Sequence, residues 1–266
     1  MKRTYVIGLI MLVLATLAAC GGKGGGDSAG SAALTLSFSK PLALADGSDA
    51  VTVLAEVKTL DGAAVADGTS VAFSAANSTG PLTTSTAATT GGIASISLNH
   101  APVAGGSKQT VTVTASALGA STSGEVRFIN QPATADVFIG FDQAVTNLAG
   151  LQFNLNSTGG AAFDNDAQNI KAINNAEGSL TIVVGNFIAA SNSTAIGLGN
   201  AGASGIDTGT APIIKVTYAV SAGLPQFSVD LTAGTFSAVA DEAGSAVTPA
   251  VTAANLVVTV KYDTEN

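Results

Sequence analysis

Cysteine, histidine and tryptophan are nearly missing from this chain: 266 residues hold one Cys, one His and no Trp. One cysteine cannot close a disulfide within the chain, so each folded part must stand on its own core. The single histidine, His100, sits at a strand exit in Asn99-His100-Ala101-Pro102, with nothing nearby to build a catalytic triad or a histidine-rich metal site around it. It reads as a surface turn residue. Among five glutamates, no two have the spacing of a glycosidase pair. The expectation is therefore a protein that is not an enzyme and needs no cofactor. Basic charge is the scarcer sign, with 10 Lys and Arg against 18 Asp and Glu. That balance excludes the basic patches of nucleic-acid binders and argues against broad electrostatic adhesion to anionic lipid. No apolar run reaches the ~20 residues of a membrane-spanning helix. No stretch of ten or more residues between Leu34 and Ile129 repeats with a helical period of about 3.6.

What is present begins at the N-terminus. Lys2 and Arg3 precede an apolar run, Tyr5 to Leu14, and small residues then lead to the lone cysteine, which is the layout of a secretory signal peptide. Leu17-Ala18-Ala19-Cys20 resembles a bacterial lipobox. The resemblance implies that residues 1–19 are removed and that Cys20 becomes the first mature residue. It also implies that Cys20 is lipidated on sulfur and amine and holds the protein on a membrane surface. Removing Lys2 and Arg3 leaves 8 basic residues of the 10, against 18 acidic ones, a formal charge of −10. Residues 20–31 form a Gly/Ser-rich tether with a root-mean-square reach of roughly 15–20 Å. Gly21 and Gly22 differ from the aspartate that retains lipoproteins on an inner membrane. The expected location is the cell envelope, and the outer membrane where the host has two membranes.

The remaining composition, rich in Val, Thr, Ser, Ala and Gly, predicts an all-β chain. Between residues 32 and 130, short alternating segments recur with turn signals between them. They are Leu34/Leu36/Phe38, Val51/Val53/Ala55/Val57, Val71/Phe73/Ala75, Ala94/Ile96/Leu98, Val111/Val113 and Val126/Phe128. Spacings of about 8–12 residues predict a β-sandwich. Three segments, Ala45-Asp46-Gly47, Val65-Ala66-Asp67-Gly68 before Val71-Ala72-Phe73-Ser74, and Thr89-Thr90-Gly91-Gly92-Ile93-Ala94, stand in the order seen in invasin/intimin-type bacterial immunoglobulin-like domains. Val111 to Ser116 and Val126-Arg127-Phe128 close that resemblance. These are turn and core residues, so the resemblance implies a fold and a spacer or adhesive context without a binding site. Gly62-Ala63-Ala64-Val65 departs from the Gly-Asn-Pro turn frequent in that family.

Gln131-Pro132 is read as a joint, because proline removes a ladder donor. A second alternating series fills residues 131–266: Val137/Ile139/Phe141, Leu151/Phe153/Leu155, Leu180 to Val184 with Phe187-Ile188, Ile214/Val216/Tyr218/Val220, Phe227/Val229/Leu231 and Leu256/Val258/Val260/Tyr262. Gly150-Leu151-Gln152-Phe153-Asn154-Leu155 and Gly209 to Tyr218 resemble strands of cohesin-like domains. Those belong to a jelly-roll superfamily shared with carbohydrate-binding modules. The expected architecture is thus two tandem β-sandwiches, immunoglobulin-like then jelly-roll/cohesin-like, each folding as a unit.

Asp164-Asn165-Asp166 offers clustered oxygens to a hard cation. As an EF-hand it fails, because position 6 is Asn169 and position 12 is Asn175. Asp164 and Asp166 remain candidate loop calcium ligands beside the plainer reading as a polar turn. Gly197-x-Gly199-x-x-Gly202 matches a dinucleotide-binding pattern, but Ala203 to Gly209 cannot sustain the helix that motif requires, so it is read as a loop. Tyr218 and Tyr262 lie on apolar strand faces, which leaves no aromatic platform for sugar stacking. Residues 131–266 hold 3 basic and 11 acidic residues, a net −8. Loops Asp164 to Glu177 and Ser191 to Thr210 are therefore where a protein or glycan ligand is expected, with protein binding that weakens in salt. The function expected is adhesion or carbohydrate binding by a recognition module displayed on a spacer, with scaffold binding to a dockerin-like or other protein partner as the alternative. The anchor is tested by Cys20→Ser: this variant should fold but leave the membrane fraction, since lipid chains supply about 0.8 kcal/mol per buried CH₂. Unchanged membrane association would refute the lipid anchor.

Overall fold

The structure is a computed structural model that describes residues 32–77, 80–105, 108–177, 181–201, 205–240 and 246–265. The signal stretch, the lipobox residues Leu17, Ala18 and Ala19, and Cys20 lie outside the described residues. The first sandwich is built from eight strands: β1 (Ala32–Phe38), β2 (Leu42–Leu44), β3 (Val51–Thr59), β4 (Ser70–Asn77), β5 (Gly80–Ala88), β6 (Ile93–Leu98), β7 (Lys108–Ala117) and β8 (Ala120–Ile129). One sheet has the order β1-β3-β6 and the other β2-β8-β7-β4-β5. All pairs are antiparallel except β2 on β8, which run parallel. The chain thus changes sheets after β1, β2, β3, β5 and β6, and the links β4–β5 and β7–β8 stay within one sheet.

Period-two alternation explains why these segments pair as they do. On β3, Val51, Val53, Ala55 and Val57 are fully buried, and on the facing sheet Val71, Phe73, Val111, Val113 and Phe128 meet them. The β5–β6 crossing is a two-residue turn in which Thr90 and Ile93 exchange N–H···O bonds of 2.9 and 3.1 Å. Gly91 and Gly92 have φ of 59° and 81°, the left-handed pair such a turn demands. Gly92 also admits a close approach, since a Cβ there would lie 2.9 Å from the Ala64 Cβ.

The second sandwich has ten strands: β9 (Thr134–Phe141), β10 (Gly150–Ser157), β11 (Ala161–Ala162), β12 (Ile170–Ala172), β13 (Thr181–Ile188), β14 (Ser193–Asn200), β15 (Ile214–Val220), β16 (Phe227–Val229), β17 (Ser237–Val239) and β18 (Leu256–Tyr262). In one sheet, β15, β9 and β18 are flanked by β11 and β12, which lie end to end along β15. The other has the order β13-β14-β10, with β16 and β17 end to end along the far side of β10. Val137, Ile139, Phe141, Phe153, Leu155, Ile196, Ile214, Val216 and Tyr218 form the core between the sheets.

Local readings shift in four places. The two pieces expected around Leu180–Val184 and Phe187–Ile188 are one strand from Thr181, with Leu180 outside the described residues. Leu231 is 66% exposed and lies beyond β16, because Asp230 bonds the Thr232 N–H and turns the chain away. The strand β14 takes 8 residues of the expected loop Ser191 to Thr210. The expected loop Asp164 to Glu177 contains two 3-10 turns and β12.

Asn130 to Ala133 connect the two sandwiches, and the C-terminal turn ties them together. Ile129 packs with Ala135, Val220 and Tyr262 in a small cluster of its own. The Glu265 carboxylate meets Arg127 at 2.9 Å, and its backbone oxygen accepts from Lys108 Nζ at 2.7 Å. The Thr264 hydroxyl donates to the Asn130 carbonyl at 3.1 Å. The packing of the first sandwich is tested at Phe73, which is 2% exposed. Phe73→Ala should lower the stability of that sandwich by about 3–5 kcal/mol in urea unfolding. A near-neutral change would contradict the register of β4.

Candidate functional site

The residues singled out for chemistry do not converge. His100 is half-buried, not a free surface residue: its ring lies 5.5 Å from that of Phe128 and its Nδ1 donates to the Ala101 carbonyl at 2.5 Å. Gly197 and Gly199 lie within β14, which corrects the loop reading of that glycine pattern, and Gly202 falls outside the described residues. The Asp164–Asp166 turn is spent on the backbone. Asp164 Oδ1 accepts from the Asp166 N–H at 3.0 Å and from Asn169 Nδ2 at 3.1 Å, and Asp166 Oδ1 accepts from the Gln168 N–H at 2.9 Å. The first of these donors, then Asn169, holds the Asp164 carboxyl below its ordinary range. Asn165, at φ 60°, accepts from the Phe187 N–H at 2.7 Å and so fastens the turn to β13. Among the described residues, no three His, Cys, Asp or Glu side chains cluster as metal ligands.

The second sandwich instead separates its surface by charge. The strands β10, β13, β14, β16 and β17 carry no Asp, Glu, Lys or Arg. All three lysines of residues 131–266 are on the opposite sheet, where Lys171 and Lys215 are direct cross-strand partners and Lys261 faces Asp136. Lys215 pairs with Asp136 at 2.7 Å and lies over the Phe138 ring. Apart from Asp136, the described carboxylates of this sandwich sit on loops and turns.

The uncharged sheet has an outer face whose makeup follows from register. Ile182, Val184 and Ile188 point outward from β13 and are 67%, 60% and 48% exposed. Beside them, β14 presents Gly199, Gly197 and Ala195, with Ser193 on the same side but buried, and β10 presents Gly150, Gln152, Asn154 and Asn156. Ser237 and Val239 of β17 complete the far wall. A floor of small residues between branched aliphatics on one side and amides on the other makes a shallow trough. A Cβ at Gly199 would meet nothing within 4 Å, so the trough is open above that glycine. Strand alternation on β13 is apolar on both faces, a signal legible in Thr181-Ile182-Val183-Val184, but the small residues opposite it required the register.

On the first sandwich, the outer face of β4, β5 and β7 is lined by Ser74, Thr84, Thr86, Thr114 and Ser116. Thr114 and Ser123 hydroxyls bond at 2.8 Å there. This hydroxyl-rich surface went unread because each Ser or Thr alone is an ordinary outward strand residue.

Inside the second sandwich, Tyr218 and Tyr262 are buried, as their strand faces implied. The Tyr218 hydroxyl donates to Thr194 Oγ1 at 2.7 Å and the Tyr262 hydroxyl to the Pro225 carbonyl at 2.6 Å. Neither ring is available for stacking on a sugar.

No family model matches the chain, and no curated protein matches it. Solved structures similar to it include an adhesin and a cohesin dyad. The adhesin InvE of Yersinia pseudotuberculosis is 14% identical with a TM-score of 0.30; the match covers 89% of this chain and 61% of the adhesin chain. The type II cohesin dyad from the adaptor scaffoldin ScaA of Acetivibrio cellulolyticus is 12% identical with a TM-score of 0.26, over 77% of this chain and 92% of that one. The chain thus spans less than two thirds of the adhesin chain it matches.

Burial pushes both Tyr218 and Tyr262 hydroxyls up from 10.0 to about 12, the latter aided by Glu265. The folded state thus favours the neutral phenols, and this stabilisation is complete below pH ~10 and lost as pH rises towards ~12. In the chain without residues 1–19, which removes Tyr5, absorbance of tyrosinate should rise only in that upper range and together with alkaline unfolding. A rise centred near the ordinary phenol value with the fold intact would show that both rings are solvated.

Proposed function

We propose that this chain is a lipid-anchored, non-catalytic binding protein of the bacterial cell envelope. Cys20 provides the anchor, the immunoglobulin-like sandwich acts as spacer, and the second sandwich carries the ligand surface. The observation that supports this most is the uncharged outer face of β13, β14 and β10, where Ile182 and Val184 stand in water beside a floor of glycine. Covering each aliphatic side chain would contribute about 1.5–3 kcal/mol, a gain that a monomer leaves unused. Depletion of charge with exposed aliphatics is the makeup of a protein–protein interface centre, so the ligand is a protein. A glycan is the second reading, favoured by the row of amides at Gln152, Asn154 and Asn156, which can bond hydroxyls.

The acidic loops lie outside this face, which changes the expected salt dependence. Binding through an uncharged trough should hold between about 50 and 500 mM salt, because screening acts on charges. With the full chain carrying Cys20→Ser as bait against envelope proteins and glycans, Val184→Glu and Gly199→Glu should each weaken capture about tenfold or more. Val257→Glu, on the outer face of the other sheet, should not. Capture that survives both face variants and collapses in salt would move the site to the acidic loops. Capture by residues 32–130 alone would make the immunoglobulin-like module the adhesin.

A further inference from the structure

We propose that β13 is also a self-association edge, on which a second copy of this chain adds its own β13 antiparallel across a two-fold axis at Val183. Among the described residues, the strand pairs only with β14. In an antiparallel ladder, alternate residues direct both backbone groups to the same neighbour. The Phe187 N–H is bonded by Asn165 on the side away from β14, so Thr181, Val183 and Gly185 share that outward orientation. Among the described residues, nothing bonds the outward groups of Val183 and Gly185.

Three features select a second copy as the occupant. The Asn165 cap closes the edge at Phe187, leaving Thr181 to Gly185 open, and Val183 is the midpoint of that open length. Pairing Val183 with its symmetry mate places Thr181 opposite Gly185 twice, giving about six backbone hydrogen bonds. The same register sets exposed Ile182 against exposed Val184 of the other copy, twice, on the outer face. Charge agrees. A chain of net −8 as translated meets its copy here on a strand without a charged residue or proline, the residues that usually block edge pairing. The contact is isologous, so it closes at two copies. Five residues a side bury less than the ~1,200 Å² of a stable interface, so the dimer depends on concentration.

The test uses the full chain with Cys20→Ser, so that introduced cysteines are the only thiols. Ile182→Cys and Val184→Cys are made in separate chains, each checked by thermal unfolding. Facing residues at a non-hydrogen-bonded position lie about 4.5 Å apart at Cα, within disulfide reach. Mild oxidation of the mixture should give about tenfold more linked dimer than either chain alone, because 182 faces 184 and neither faces itself. Adding Val183→Pro to both chains removes an outward N–H, leaves the β14 ladder intact, and should abolish linkage. Equal linkage in all three samples, or none in the mixture, would overturn the proposal. The proposal does not rest on the ligand face: a chain that binds ligand yet fails to link in this register overturns the edge alone.

Discussion

Without disulfides, and with few aromatics, this chain depends on the two-residue period of its strands. Each strand must turn its Val, Ile, Leu, Phe or Ala set inward, or the sheets have nothing to hold them about 10 Å apart. On β3, β9, β10 and β15 the alternation is clean, and the inward residues are buried to a few per cent or less. Two buried hydroxyls in the second core are not exceptions, since Tyr218 and Thr194 satisfy each other. The same rule gives meaning to its violations. A strand that is apolar on its outward face as well, as β13 is at Ile182, Val184 and Ile188, is using surface for something other than its own core.

Charge is placed with equal economy. The acidic excess of the second sandwich sits on loops and turns, where Asp164, Asp166 and Asp230 accept backbone N–H bonds and set local geometry. Its lysines sit on one outer sheet, and the other outer sheet has no charge at all. The acidic excess therefore describes the rim, and the face of β10, β13 and β14 has no share in it. The joint between the sandwiches uses the remaining groups. Glu265 brings the C-terminus against Arg127 and Lys108, beside the cluster of Ile129, Val220 and Tyr262. The two sandwiches are thereby linked through packed and bonded contacts.

Much of the architecture was legible because it rests on local pattern. The alternating sets at Val51–Val57, Leu151–Leu155 and Ile214–Val220, with the Gly91-Gly92 turn, are sufficient to place strands and sheets. Short pieces were not legible: β11, β12, β16 and β17 have two or three residues each, too few to show a period. The candidate surface was half legible. Exposed aliphatics on β13 are visible as an uninterrupted apolar run, but the matching floor depends on Gly197 and Gly199 lying opposite Val184 and Ile182, which only pairing reveals. The same two glycines, read along the chain, look like a loop. Asp164-Asn165-Asp166, read as candidate cation ligands beside a polar turn, forms a turn whose side-chain oxygens accept the Asp166, Gln168 and Phe187 N–H groups.

On the proposed reading, ligand contacts the uncharged outer face of β10, β13 and β14. A photo-crosslinking amino acid placed at Gln152, in the middle of that face, and in a second chain at Val257, on the outer face of the opposite sheet, tests it within the native envelope. Irradiation should give a discrete adduct with another molecule from position 152 and none from position 257. An adduct from 257 with none from 152 would contradict the account.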